Sequence, residues 1–275
     1  MAPSPVSSLT LRLISALILA PAVLLALWLG RPWFDLLLVL AAGLMAREWA
    51  DLVGAPRQRF MLIGLAGCLV LLPLLGLGIG WALLTSVAAA LAIATLWRHS
   101  HRAGWLAAGL LVAGLPCLAA AWLRESAAEG RAILFWSFLV VWATDSGAYA
   151  FGRLIGGAKL APRISPNKTW AGFFGGLVSA MAAGAAIGAL AMAAGWVPRG
   201  LDLALLALAS AGASLVGQAG DLAESALKRR FGAKDSGHII PGHGGLLDRA
   251  DSLLAVIPAV ALVVGLARLD VMLWP

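Results

Sequence analysis

Five acids (Asp221, Glu224, Asp235, Asp248, Asp251), five bases (Lys228, Arg229, Arg230, Lys234, Arg249) and two histidines (His238, His243) fall between Gly217 and Ser252 of a chain that is otherwise largely hydrocarbon. Asp221, Glu224 and Lys228 stand at i, i+3 and i+7, so on a helix they share one face, with Ser225 and Arg229 beside them. Asp248 and Asp251 are likewise three apart. Between these acidic pairs, Gly232, Gly237, Pro241, Gly242, Gly244 and Gly245 are too dense in helix breakers for one helix and suit a folded loop with exposed backbone N–H groups. Carboxylates on either side of a cation-lined loop are the composition expected where magnesium, held by oxygen ligands, grips nucleotide phosphates while Lys and Arg take up the remaining charge. The plainer reading is an interfacial loop whose acids merely neutralise its bases. Against it, acids deep in a membrane cost about 2.5–3.5 kcal/mol each on insertion scales and mark functional sites.

A second polar stretch lies upstream. Asp145, in Trp142-Ala-Thr-Asp-Ser-Gly-Ala-Tyr149, is a carboxylate inside an apolar segment, which calls for a polar cavity, a cation or a metal, or a basic partner that fixes packing. The loop after it, Gly152 to Trp170, mixes glycines, hydroxyls and cations, a composition suited to phosphate contact. It is not a P-loop, since GxxxxGK[ST] is absent.

The ordered run Ser225-Ala-Leu-Lys228-Arg229, Lys234-Asp235-Ser-Gly, Pro241-Gly-His243-Gly244-Gly245 and Leu247-Asp248-Arg249-Ala-Asp251 resembles the signature of the phosphatidate cytidylyltransferase, or CDP-diacylglycerol synthase, family. Asp145-Ser-Gly-Ala-Tyr149 and Ser165-Pro-Asn167-Lys168-Thr169-Trp170 extend the similarity over roughly Ala132 to Ser252. There is one departure: such enzymes usually read Lys-Thr-Trp-Glu-Gly where this chain has Ala171. The resemblance implies transfer of a cytidylyl group from CTP to phosphatidate, giving CDP-diacylglycerol and pyrophosphate. It implies a magnesium cofactor, as two divalent ions or as one divalent ion with a monovalent cation. Asp221, Asp248 and Asp251 would be metal ligands, with Glu224 as a fourth or supporting group. Lys228, Arg229, Lys234 and Arg249 would meet phosphates, and Lys168 with Ser165, Asn167 and Thr169 would hold one substrate's phosphate. Asp235 would bind nucleotide or neutralise Lys234, His243 with Gly244 and Gly245 would orient a phosphate or brace the turn, and Asp145 would help build the polar cavity.

Two other classes fit less well. A CTP-dependent kinase of a membrane alcohol such as a polyprenol or phytol would release CDP instead of pyrophosphate. An ion transporter would be expected to show paired halves with broken helices, whereas here the charge is crowded at one end.

These residues need a scaffold, and composition says which kind. With 275 residues, 61% hydrophobic and 12% charged, and a mean hydropathy of +0.93, the chain reads as an all-α, polytopic membrane protein. Apolar runs on the order of twenty residues, the length needed to cross a bilayer, occupy about Leu11–Leu29, Trp33–Val53, Phe60–Leu77, Ile79–Trp97, Gly104–Leu123, Ala132–Phe151, Phe173–Trp196, Leu201–Gly220 and Leu253–Ala267, about nine in all. Residues 1–130 are expected to be scaffold and residues 131–275 to carry the catalytic loops, within one membrane domain. Glu48, Asp51 and Arg47 near the end of the second run read as interfacial charges. Placing Arg12 and the loops after runs two, four, six and eight on one side gathers most of the Lys and Arg there, which puts the N-terminus and the active site on the cytoplasmic side of the inner membrane. The formal charge of +7 is dispersed between apolar runs, so no nucleic-acid partner is expected. Cys68 and Cys117 lie in apolar runs without a CxxC and imply neither disulfide nor zinc. Gly152/Gly156 and Gly172/Gly176 have GxxxG spacing, which leaves a homodimer open.

Overall fold

The computed structural model describes residues 8–71, 79–96, 98–126, 129–197, 200–240 and 244–273. Nine described helices overlap the nine apolar runs: α1 (Ser8–Leu29), α2 (Trp33–Leu52), α3 (Arg59–Leu71), α4 (Ile79–Leu96), α5 (Ala103–Ser126), α6 (Gly130–Leu154), α7 (Trp170–Ala193), α8 (Leu203–Arg230) and α9 (Leu247–Leu273); α8 runs past Gly220 and α9 begins before Leu253, and the ends of the third and fourth runs lie outside the described residues. Among the described residues, five helices are long and apolar enough to cross a membrane, within α5, α6, α7, α8 and α9. The architecture is all-α apart from one small hairpin, in which β1 (Lys159–Ala161) pairs antiparallel with β2 (Ser165–Thr169), with Lys159 opposite Thr169 and Ala161 opposite Ser165. The stretch from Gly152 to Trp170, expected as a loop, is not one throughout: α6 runs on to Leu154 and the hairpin follows.

The helices divide into two compact units, Met1–Ala121 with Phe231–Ala250, and Trp122–Arg230 with Asp251–Pro275. In the first, α2 packs on α3, with Ala42, Ala46, Leu62 and Ala66 fully buried. The Trp49 indole N–H donates to the Trp105 carbonyl at 2.7 Å, fastening α2 to α5. Phe231 meets the Trp105 ring edge-on at 5.1 Å.

The second unit has its core at Val140, Val141, Ala180, Ala213 and Val256, contributed by α6, α7, α8 and α9. The seam between α6 and α7 is made of glycine. A Cβ on Gly172 would lie 2.7 Å from the Ala148 carbonyl, closer than real side chains stand, and one on Gly176 would lie a tight 3.0 Å from the Thr144 carbonyl. With no hydrophobic drive between helices in lipid, such close backbone approach is what holds them. Gly152 and Gly172, noted for their GxxxG spacing, face each other across this seam within one chain. Deeper in the unit, Trp136 donates to the Ser210 hydroxyl at 3.0 Å, which satisfies an indole N–H away from water.

Candidate active site

In the second unit, glycines again decide what comes together. Gly217 and Gly220, one turn apart on α8, let α9 approach closely: a Cβ on Gly220 would stand 2.7 Å from that of Ala255 and 3.2 Å from the Asp251 carbonyl. Asp221, next to Gly220, thereby shares its surroundings with Asp251. The charges acting on Asp251 include those of Asp221, Asp145 and Glu224, so four acids from α6, α8 and α9 lie within electrostatic reach of one another. Asp251 also accepts the Ser252 N–H at 2.7 Å.

The hairpin brings cations to these acids. Thr169 caps α7 by accepting the Gly172 N–H at 3.1 Å, which fixes the residue next to it. Lys168, in that neighbouring place, lies 2.5 Å from Asp221, both side chains being about a quarter exposed at 27% and 26%. The Ser225 hydroxyl approaches the other Asp221 oxygen at 3.4 Å. One turn further along α8, Lys228 pairs with Glu224 at 2.5 Å, both nearly buried at 11% and 10%. The Arg229 guanidinium donates to the Ile164 carbonyl at 3.3 Å, tying the hairpin to the end of α8. Gln218 donates to the Phe173 carbonyl at 3.3 Å and braces α8 against the start of α7. Ser165 is half-buried in β2, whereas Asn167 is exposed.

The remaining site residues of the sequence reading belong to the first unit. Asp248 is buried, at 8% exposure, and its carboxylate accepts the Ser236 N–H at 2.9 Å and 3.1 Å through its two oxygens and the Gly245 N–H at 2.9 Å. Arg249, Lys234 and Asp235 are exposed on the same loop and helix start. Gly244 has a positive φ of 89°, a conformation that favours glycine, and exchanges backbone hydrogen bonds with Ile240. His243, with Pro241 and Gly242, lies outside the described residues.

One residue dismissed as interfacial is not. Glu48 of α2 is 3% exposed and takes three hydrogen bonds from this loop: Leu246 N–H and Leu247 N–H at 2.9 Å each and the Ser236 hydroxyl at 3.2 Å. Its neighbour Asp51 pairs with Arg59 near the surface, as an interfacial charge should. A signal for Glu48 was present, since the reasoning that singled out Asp145, an acid within an apolar segment, applies equally to it.

Among the described residues no three acids, histidines or cysteines close around a metal position. The carboxylates of Asp221, Asp251, Asp145 and Glu224 are hard oxygen donors, the type a magnesium ion would take.

Comparison with known proteins bears on the whole chain. The sequence profile of the cytidylyltransferase family matches residues 10–267. A phosphatidate cytidylyltransferase of Brucella suis is 42% identical over 254 residues, covering 90% of each chain, and that of Brucella abortus matches equally. One from Staphylococcus saprophyticus is 50% identical over 137 residues, half of each chain. With acids and lysines clustered where the sequence signature lies, and a match extending across nearly all nine helices, this chain belongs to the cytidylyltransferase family.

Proposed function

We propose that the protein transfers the cytidylyl group of CTP to phosphatidate, producing CDP-diacylglycerol and pyrophosphate, at the acidic cluster of α6, α8 and α9. The observation that carries this reading is the placement of Lys168 and Lys228 directly against Asp221 and Glu224, with Asp251 and Asp145 around them.

The chemistry asks little of a general base. The lipid phosphate has a second pKa near about 6, by analogy with phosphoserine, so its attacking oxygen is largely ionised at neutral pH. The obstacle is repulsion between an anionic headgroup and a polyanionic triphosphate. Lysine and arginine side chains lower it by meeting phosphate oxygens, and fixed positions align attack on the α-phosphorus opposite the departing pyrophosphate. Lys168, anchored by the Thr169 cap, would exchange Asp221 for a phosphate oxygen when substrate enters. Lys228 and Arg229 would act likewise from α8; the signature implies phosphate contacts for Lys234 and Arg249 as well. Asp221 and Asp251 would hold magnesium, supported by Glu224; the signature implies a ligand role for Asp248 too, whose carboxylate, with about four lone-pair sites, already accepts two N–H groups, those of Ser236 and Gly245. When bound, the ion neutralises phosphate charge and polarises the reacting phosphoryl group.

The charge distribution supports a cytoplasmic orientation of the N-terminus and of the site in the inner membrane. Lipid tails would remain in the bilayer while the headgroup enters sideways. No nucleic-acid partner is proposed. A homodimer is compatible with this reading but not required, since Gly152, Gly172 and Gly176 of the GxxxG pairs are engaged inside the chain.

The test is incubation of purified protein with labelled CTP, short-chain phosphatidate and magnesium, followed by identification of both products. CDP-diacylglycerol with pyrophosphate supports the reading; CDP with a phosphorylated lipid alcohol would replace it by a lipid kinase.

A further inference from the structure

We infer that Glu48 is a positioning residue for this reaction: from α2 it fixes the 236–248 loop and, through it, the first turn of α9 that carries Asp248 and Arg249. The inference rests on the proposed function for its kinetic consequence, and on geometry for the rest. A buried carboxylate is costly unless hydrogen bonds satisfy it, and Glu48 is satisfied by this loop alone among its described hydrogen bonds. Oε1 accepts from Leu246 N–H, and Oε2 accepts from Leu247 N–H and the Ser236 hydroxyl. The two N–H groups stand at the start of α9, where helix donors lack partners within the helix and the dipole favours an anion.

The loop is shaped around this carboxylate. A Cβ on Gly237 would stand 2.8 Å from Glu48 Oε1, and one on Gly245 would stand 2.7 Å from Oε2. At Gly237 the Glu48 side chain alone fills the space a Cβ would need, and at Gly245 it does so together with the Ser236 hydroxyl that it holds and the Gly237 backbone. Ser236 completes the relay. Its hydroxyl is held by Glu48 while its backbone N–H is given to Asp248, so the orientation of the Asp248 carboxylate depends on a residue that Glu48 holds in place. Sequence distance hides this: Glu48 lies 188 to 199 positions from the groups it binds.

The test uses the full-length protein in detergent or nanodiscs, with Glu48→Ala, Glu48→Gln and Ser236→Ala. The readouts are kcat, KM for each substrate and amide hydrogen exchange of residues 236–248. Loss of alignment alone costs about 10²-fold for a displacement of about 1 Å, so Glu48→Ala should lower kcat by about 30- to 100-fold with both KM values within about twofold, the signature of an interaction needed in the transition state. Glu48→Gln keeps one acceptor oxygen and should lose about 3- to 10-fold. Ser236→Ala should fall near the Gln variant, and exchange over the loop should rise in the same order. Wild-type kcat per folded molecule in Glu48→Gln and Ser236→Ala, or unchanged exchange over residues 236–248, would overturn the inference. If Glu48→Ala does not accumulate, the other two variants decide by the same criteria. If the wild-type protein makes no CDP-lipid, the functional reading falls, and the exchange measurement still shows whether Glu48 holds the loop.

Discussion

Removing Lys168 should affect metal binding and turnover in opposite directions. Without substrate, the Lys168 ammonium sits 2.5 Å from the Asp221 carboxylate and competes with any cation for it. A divalent ion must first displace this partner, so Lys168→Met should tighten metal binding to the protein alone. The magnitude follows from the exposure of the pair. At 27% and 26% accessibility both groups remain in partial contact with solvent, so screening discounts the attraction, and exposed pairs are worth about 0.2–1 kcal/mol in double-mutant cycles. Taking the upper end for so close a pair gives about 1 kcal/mol, or roughly fivefold in the dissociation constant. Turnover should move the other way and by more, about 10²-fold downward, because a fixed cation facing transferring phosphoryl charge is lost. Manganese binding followed by electron paramagnetic resonance in the absence of CTP measures the first effect, and steady-state CDP-lipid synthesis the second. Unchanged or weaker metal binding in Lys168→Met, in a protein whose Asp221→Asn variant binds none, would refute the reasoning.

The two acids of the signature should separate by stability. Asp221→Asn should lose about 10²-fold or more in turnover while its unfolding temperature barely moves, since its one ion pair is worth at most about 1 kcal/mol. Asp248→Asn should lose activity and also about 1–3 kcal/mol of stability, because an amide cannot accept all the N–H bonds that Ser236 and Gly245 now give the carboxylate; thermal unfolding in detergent distinguishes the pair. Gly172→Val should cost about 1–3 kcal/mol by forcing α6 and α7 apart at the Ala148 carbonyl, read by the same melts. Thr169→Val should cost about 1 kcal/mol through loss of the α7 cap and should lower turnover further by loosening Lys168.

Much of this was legible in the sequence, for identifiable reasons. Helix positions followed from runs of apolar residues, because span length is set by the bilayer and not by tertiary detail. The shared face of Asp221, Glu224 and Lys228 followed from helical periodicity, and the Glu224–Lys228 pair is its realisation. The β1–β2 hairpin was not legible: Pro162 and Pro166 punctuate it, and five residues of β2 contain Ser, Pro and Asn, poor strand formers whose pairing is decided by register with Lys159 and Ala161. The Lys168–Asp221 and Glu48–Ser236 contacts join residues far apart in the chain, and no local spacing rule reaches that distance. Glu48 was misjudged for another reason. Its neighbours Arg47 and Asp51 made it look like part of a surface charge cluster, although Glu48 is buried while Arg47 and Asp51 are exposed.

The glycine seam between α6 and α7 divides the second unit into parts with different freedom to vary. Outward faces, where Phe174, Val178 and Leu190 are exposed, can exchange one hydrocarbon for another as bilayer composition changes from habitat to habitat. Along the seam no such drift is available, since each added methyl group would push apart the two helices that flank the hairpin bearing Lys168. An engineer seeking a variant adapted to thicker or more fluid membranes therefore has the lipid-facing surface to rewrite and should leave the seam as it stands.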